Sequence, residues 1–207
     1  MSDNLIELIG FITGVLYLLC EIRQYRAMWI LQALSGVMYA VIFSRSGLYA
    51  ATALQIYYIV ISVYGILQWR KGKQELENIR NAEDCSQGNP SGKEEIFYRY
   101  PSAGTVLAGM AVLAVLTGLF ATVLKNLTGD PMPLADALAT ALSVIATYWL
   151  SKSYIQQWLM WVAVNVLTVY LSFSQELYIT SVLYIIYTFA AIYGYFHWKI
   201  KGTVLTK

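Results

Sequence analysis

Two tryptophans and an amide recur on one side of a predicted helix near the end of the chain. Trp158, Trp161 and Asn165 stand at positions i, i+3 and i+7, and Thr168 follows at i+10, so that all four share one helical stripe. Indole rings stack on flat or cationic rings, and an amide both donates and accepts hydrogen bonds. The stripe therefore has the residue types needed to hold a planar solute.

Similar polar and aromatic residues recur in other apolar stretches. Hydrocarbon tolerates such residues poorly, so we expect these side chains to face the protein interior or a solute pathway. The further candidates for solute contact are Gln32, Ser35 and Tyr39 in the second stretch, Gln55 and Tyr58 in the third, Tyr184 and Tyr187 in the seventh, and Tyr17 in the first.

Some of these residues have a second interpretation. An intramembrane amide such as Asn165 also cross-links helices, at about 0.6 kcal/mol per bond. Trp158 could lie in the aromatic belt at the membrane surface. Trp69 and Trp198 end their stretches beside Arg70 and Lys199, and we expect these two tryptophans to be belt anchors.

The sequence gives no basis for metal or acid–base chemistry. His197 is the single histidine, and Cys20 and Cys85 match no metal-ligand spacing, so that we expect free thiols, no cofactor and no enzyme. The net charge of +2 is too small to indicate a nucleic-acid partner.

The elements that carry the candidate residues are predicted to be transmembrane helices. Of 207 residues, 58% are hydrophobic and 13% are charged, whereas a soluble domain carries about 25% charge. A spanning helix needs about 20 mostly apolar residues. We predict an all-α integral membrane protein with seven spans, at Leu5–Ile22, Ala27–Ser44, Leu48–Trp69, Ala103–Lys125, Pro133–Leu150, Ile155–Phe173 and Leu177–Trp198.

The segment from Arg70 to Tyr100 is too polar to enter the bilayer. It carries six basic and six acidic residues, which indicates a solvated linker, with a docking surface as the alternative. Its first part, Lys73–Arg80, could extend the third helix. Twelve of the 14 basic residues fall on the side of this loop. The positive-inside rule then predicts a bacterial inner-membrane protein with its N-terminus outside and its C-terminus cytoplasmic.

An internal repeat organises the chain. At an offset of 129 residues, 11 of the 47 positions from Tyr25 to Lys71 are identical, where composition alone would give roughly three or four. We expect parallel three-helix repeats around a linker helix, a 3+1+3 arrangement with a solute pathway along the seam. The predicted segments are a first bundle at 1–69, a charged loop at 70–101, a linker helix at 102–125, a second bundle at 133–198 and a tail at 199–207.

The stripe of the sixth span also resembles a known motif. Trp158-Leu-Met-Trp161-Val-Ala-Val-Asn165 matches the WxxWxxxN pattern of the Pnu vitamin transporters (PnuC and PnuT), and Leu48–Trp69 and Leu177–Trp198 are similar to that family. The resemblance implies a SWEET-like fold, uncoupled uptake of a B vitamin and its trapping inside by phosphorylation. It also implies a homotrimer, because trimers occur in the family.

The resemblance leaves more than one cargo. Riboside-type members often have Asn where this chain has Ser35 and Ser62, and Glu21 looks like the thiamine-type members. We therefore predict a thiamine facilitator, with nicotinamide riboside as the alternative. The alternative of another class is a membrane scaffold or receptor that acts through the polar loop and transports nothing.

Overall fold

The structure is a computed structural model that describes residues 14–45, 49–87, 95–127 and 131–205. The described residues form seven helical segments and one pair of short strands, and the prediction of an all-α protein is confirmed. The elements are α1 (described over residues 14–22), α2 (Ala27–Arg45), α3 (Tyr49–Gln87), β1 (Phe97–Tyr98), α4 (Ala103–Leu127), α5 (Pro133–Ser151), α6 (Gln157–Ser174), α7 (Tyr178–Lys201) and β2 (Thr203–Val204).

Several helices have the length and composition of membrane spans. Among the residues that the structure describes, four helices qualify, at Thr52–Ala82, Ala103–Asn126, Pro133–Ser151 and Gln157–Ser174, and α2 contributes a shorter apolar stretch, Ala27–Val41. In helix α4, no residue of the most apolar 18-residue stretch is buried within the protein. Leu107 is 67% exposed and Val115 is 69% exposed on it. Such a surface is stable in hydrocarbon rather than in water.

The described chain divides into two compact units. Residues up to Phe97, together with Lys201–Leu205, form the first unit, in which α2 packs on α3. Residues Tyr98–Ile200 form the second, in which α5 packs on both α4 and α6.

The two described ends of the polar segment after the third span, up to Gln87 and from residue 95 onward, have defined structure. The predicted extension of the third helix over Lys73–Arg80 is confirmed, because α3 continues to Gln87. Ile96 and Phe97 are buried, at 1% and 0% exposure. The amide of Thr203 donates to the carbonyl of Ile96 over 2.9 Å, so that β2 pairs with β1. The apolar end of the segment, Ile96 and Phe97, is therefore packed within the protein, where burial of its side chains contributes to stability.

The predicted internal repeat is visible in the backbone. Gln24 follows α1 with φ of 55°, and its equivalent Ser153 follows α5 with φ of 58°. Five backbone hydrogen bonds around these turns coincide at the 129-residue offset. In donor-to-acceptor order they are Arg23 to Leu19, Gln24 to Glu21, Tyr25 to Cys20, Met28 to Tyr25 and Trp29 to Arg26 in the first unit, and Lys152 to Tyr148, Ser153 to Leu150, Tyr154 to Trp149, Gln157 to Tyr154 and Trp158 to Ile155 in the second.

Each unit also contains a cluster of two tryptophans and a glycine at equivalent positions. The centroids of the two indole rings lie 5.3 Å apart in the cluster of the first unit and 5.4 Å apart in that of the second, and both ring contacts are edge-to-face. The four rings are at most 1% exposed. The first cluster is Trp29, Gly65 and Trp69, and the second is Trp158, Gly194 and Trp198.

The clusters correct one prediction. A belt tryptophan keeps its ring at the membrane surface. Trp69 and Trp198 instead have 0% exposure, because each packs against a second indole within its own unit. The prediction that these two residues are belt anchors is therefore wrong.

Candidate functional site

The residues of the predicted stripe on α6 differ in how deeply they are buried. Trp158 is 1% exposed and lies in the second tryptophan cluster, which favours a packing role over solute contact. Thr168 donates its hydroxyl to the carbonyl of Val164 within the helix, over 2.9 Å. Trp161 and Asn165 remain the two members of the stripe that suit a solute.

Trp161 has an unsatisfied polar group, as the packed residues Trp29 and Trp158 also have, but its ring is the only one of the three that is not fully buried among the described residues. Its ring is half-buried, but its indole N–H is buried and meets no hydrogen-bond acceptor among the described residues. A buried N–H without an acceptor costs about 1–3 kcal/mol, so native structures nearly always supply one. Asn165, one turn further along α6, is 5% exposed. Trp161 and Asn165 thus place an indole N–H that requires a hydrogen-bond acceptor beside a buried amide group.

The equivalent position in the first unit also has an unsatisfied polar atom. Gln32 on α2 occupies the place of Trp161 at the 129-residue offset. Its side chain is half-buried, and its amide oxygen is buried without a donor in the part of the chain that the structure describes. Ser35 and Tyr39, the other candidates on α2, are exposed within the protein. A donor on α6 and an acceptor on α2 thus stand at repeat-equivalent positions.

Three further candidates lie in the first unit. Gln55 and Tyr58 on α3 and Tyr17 on α1 are all half-buried. Tyr17 is close enough to Glu21 and to Tyr58 to interact electrostatically with both, so that α1 and α3 bring these side chains together.

Sequence reasoning left Glu21 out of the candidate residues, although the structure brings it close to the candidate Tyr17. Glu21 is 3% exposed and lies near Tyr17. An acidic residue at the end of an apolar stretch was the available signal, since buried carboxylates in membranes usually have a functional or structural reason. Ser62, by contrast, is fully buried and donates to the carbonyl of Tyr58 within α3 over 2.6 Å, so its hydroxyl has an intrahelical acceptor.

Tyr184 and Tyr187 on α7 form an aromatic pair in the second unit. Their ring centroids are 5.7 Å apart at an interplanar angle of 82°, and both rings are half-buried. Within the described ranges, no three His, Cys, Asp or Glu side chains are grouped so that they could hold a metal ion. Cys20 is a free thiol, and the side chain of Cys85 falls outside the described residues.

Comparisons with known proteins identify the family. The family model described as nicotinamide mononucleotide transporter matches residues 4–200. The nicotinamide riboside transporter PnuC of Escherichia coli (strain K12) is 24% identical over 93% of this chain and 84% of its own. The riboflavin/roseoflavin transporter RibM of Streptomyces davaonensis is 24% identical over 95% of this chain and 85% of its own.

A solved structure supports the fold. The crystal structure of the vitamin B3 transporter PnuC superimposes with a TM-score of 0.66 at 21% identity, covering 95% of this chain and 81% of that one. The protein in that crystal structure and the two relatives above are not named for thiamine, so they give the thiamine prediction no support. The resemblance to the Pnu transporters is confirmed. The chain is a multi-pass membrane protein and belongs to the nicotinamide mononucleotide transporter family, the family of the PnuC transporters.

Proposed function

We propose that the chain is a facilitator for uptake of a B vitamin with a flat aromatic ring, with nicotinamide riboside as the cargo and thiamine as the alternative. The observation that carries this proposal is the buried indole N–H of Trp161, which has no acceptor among the described residues and stands one turn from the buried Asn165. A polar aromatic solute supplies both the missing acceptor and a surface for stacking.

The choice of cargo rests on the amide chemistry. The carboxamide of nicotinamide has a carbonyl that accepts a hydrogen bond, which suits the indole N–H of Trp161, and an NH₂ that donates. The pyridinium ring suits aromatic walls, since cation–π attraction reaches about 2 kcal/mol when desolvated. Relatives named for nicotinamide riboside point the same way. Thiamine also has a cationic ring but no carboxamide.

Both repeats contain residues that we propose to contact the solute. Trp158 contributes through packing, and the remaining sequence-predicted residues keep their proposed role in solute contact. They are Trp161, Asn165, Tyr184 and Tyr187 in the second repeat, and Tyr17, Gln32, Ser35, Tyr39, Gln55 and Tyr58 in the first, to which we add Glu21.

We also propose an arrangement of the chain in the membrane. Seven spans in a SWEET-like 3+1+3 arrangement, with parallel triplets, are supported by the internal repeat. The twelve-to-two distribution of basic residues supports an external N-terminus, a cytoplasmic C-terminus and residence in the bacterial inner membrane. Transport is uncoupled, and phosphorylation inside the cell traps the vitamin. The proposed assembly is a homotrimer, which native mass spectrometry of the purified protein would test.

Uptake of labelled nicotinamide riboside, thiamine and riboflavin into proteoliposomes tests the proposal. We expect Trp161→Ala to abolish most uptake. Trp161→Phe keeps the ring but loses the N–H donor, and a hydrogen bond of about 0.5–1.5 kcal/mol predicts a two- to twelvefold loss of apparent affinity. Phe189→Ala, at a position 69% exposed on α7, is the aromatic control and should transport normally.

The outcomes separate the alternatives. Wild-type uptake of none of the three vitamins above empty vesicles would reject the transport proposal. Preference for thiamine would reverse the order of the two cargoes. Uptake without dependence on proton or sodium gradients is expected, because uncoupled transport equalises the vitamin concentration only. Deleting residues 88–94 should leave uptake intact, whereas a scaffold or receptor that acts through this loop would lose its function.

A further inference from the structure

The second unit has an apolar groove on its surface. The groove lies among α4, α5 and α6 and has a volume of about 280 Å³. Trp149, Leu159 and Ala163 contribute apolar walls. Gly109 faces the Trp149 ring, where an added Cβ would stand 3.2 Å from Cζ2, so the absence of a side chain helps to keep the groove open.

The groove opens toward the surroundings of the protein. Met110 and Leu159 on its rim are 63% and 52% exposed, and the adjoining helix α4 buries none of its most apolar window. In a multi-pass membrane protein, this surface meets lipid tails. The volume lies near the lower end of pockets that hold small molecules, roughly 300–1,000 Å³.

One end of the groove has a polar lining residue, and the turn that precedes it in the chain carries a basic residue. Gln156 lines it, and the amide oxygen of Gln156 is buried without a donor among the described residues. Lys152 lies in the turn between Trp149 and Gln156, both of which line the groove. The backbone of Arg99 is held to the same turn, because its amide donates to Ser153 over 2.9 Å and its carbonyl accepts from Ile155 over 3.2 Å.

We propose that this groove binds an anionic glycerophospholipid, with one acyl chain along the apolar walls and the headgroup at the basic turn. The acyl chain contacts side chains that would otherwise border an unfilled space. The phosphate lies near Lys152 and Arg99, and a headgroup hydroxyl donates to the amide oxygen of Gln156. Basic pockets between transmembrane helices are known to recognise anionic headgroups in this way.

The apolar walls alone would accept any acyl chain or a second copy of the protein. The basic turn and the buried amide favour an amphiphile with a negative, hydroxylated head, such as phosphatidylglycerol. This site is independent of the proposed vitamin site, because its lining includes none of the residues proposed to contact the vitamin.

Thermal unfolding of the purified full chain in neutral detergent tests the proposal, with dioleoylphosphatidylglycerol and dioleoylphosphatidylcholine as the added lipids. We expect phosphatidylglycerol to raise the midpoint more than phosphatidylcholine does. Lys152→Gln should weaken phosphatidylglycerol binding about fivefold, the change that corresponds to about 1 kcal/mol per basic residue near the headgroups. Ala163→Leu should also weaken it, by filling the groove with the residue that the first repeat carries at Leu34.

Lys125→Gln, at the far end of α4, is the matched charge control and should retain the wild-type response. Equal responses to the two lipids would overturn the proposal, as would an unchanged phosphatidylglycerol response in both groove variants. Disulfide cross-linking of two copies through Leu159→Cys would show that a second copy covers the groove, and would also overturn it.

Discussion

Replacing Gly194 with Ala tests whether the second tryptophan cluster stabilises its own unit. A Cβ at position 194 would stand 2.6 Å from two atoms of the Trp158 ring and 2.7 Å from a third, closer than real Cβ atoms approach. The ring has little room to move, because Trp158 is 1% exposed and contacts the edge of Trp198. Overpacking of this kind costs about 1–3 kcal/mol.

The gain in helix propensity on replacing Gly by Ala, about 0.5–1 kcal/mol, offsets part of this cost. We therefore expect a net loss of about 1–2 kcal/mol in the free energy of unfolding. For a chain of this size, that loss lowers the midpoint of thermal unfolding by about 2–8 °C. Tryptophan fluorescence of the detergent-solubilised protein during heating measures the shift.

Gly118→Ala is the matched control. Gly118 lies in α4 with nothing within 4 Å of an added Cβ, so its replacement should leave the midpoint unchanged or raise it. Equal midpoints for Gly194→Ala and Gly118→Ala would refute the packing argument. In a Trp158→Leu background the cost of Gly194→Ala should largely disappear. Gly65→Ala should repeat the result in the first unit, where the added Cβ would stand 2.5 Å from Trp29.

Three other predictions concern the segment before α4 and can be followed by the same thermal assay. Gln24→Leu should lower the midpoint, because the Gln24 amide donates to the carbonyl of Phe97 over 2.9 Å and accepts from its N–H over 3.0 Å, and about 1–3 kcal/mol is lost for each buried group left unsatisfied. A Leu variant as stable as wild type would contradict this prediction. Burial raises the pKa of the Tyr98 phenol to about 12. The contribution of this phenol to stability is therefore present below its ordinary pKa of about 10 and is lost as the pH rises through about 12. Tyr98→Phe should reduce the loss of stability over that pH range, and an unchanged pH profile in this variant would contradict the prediction. Lys73→Met, which breaks the 3.2 Å ion pair with the exposed Glu95, should change the free energy of unfolding by less than about 1 kcal/mol, and a larger loss would show that the pair is better shielded from water than its exposure indicates.

Much of the molecule could be predicted from local pattern. Long apolar stretches predict helices in a membrane whatever their neighbours, because a backbone in lipid must satisfy its own hydrogen bonds. The repeat was equally accessible, since duplicated residues retain the same turns: Gln24 and Ser153 both adopt positive φ although their side chains differ. The family followed from the WxxWxxxN motif and its context.

Tertiary structure alone decided which aromatic residues pack and which remain available. Spacing places Trp158 and Trp161 on the same stripe, yet Trp158 is 1% exposed and packs against Trp198, whereas the Trp161 ring is only half-buried. Trp69 has the sequence context of a belt residue but is buried. The physical reason is that an indole ring suits a membrane surface, a packed core and a binding site equally well. What distinguishes these environments is the set of neighbours, which the chain acquires only when distant helices come into contact.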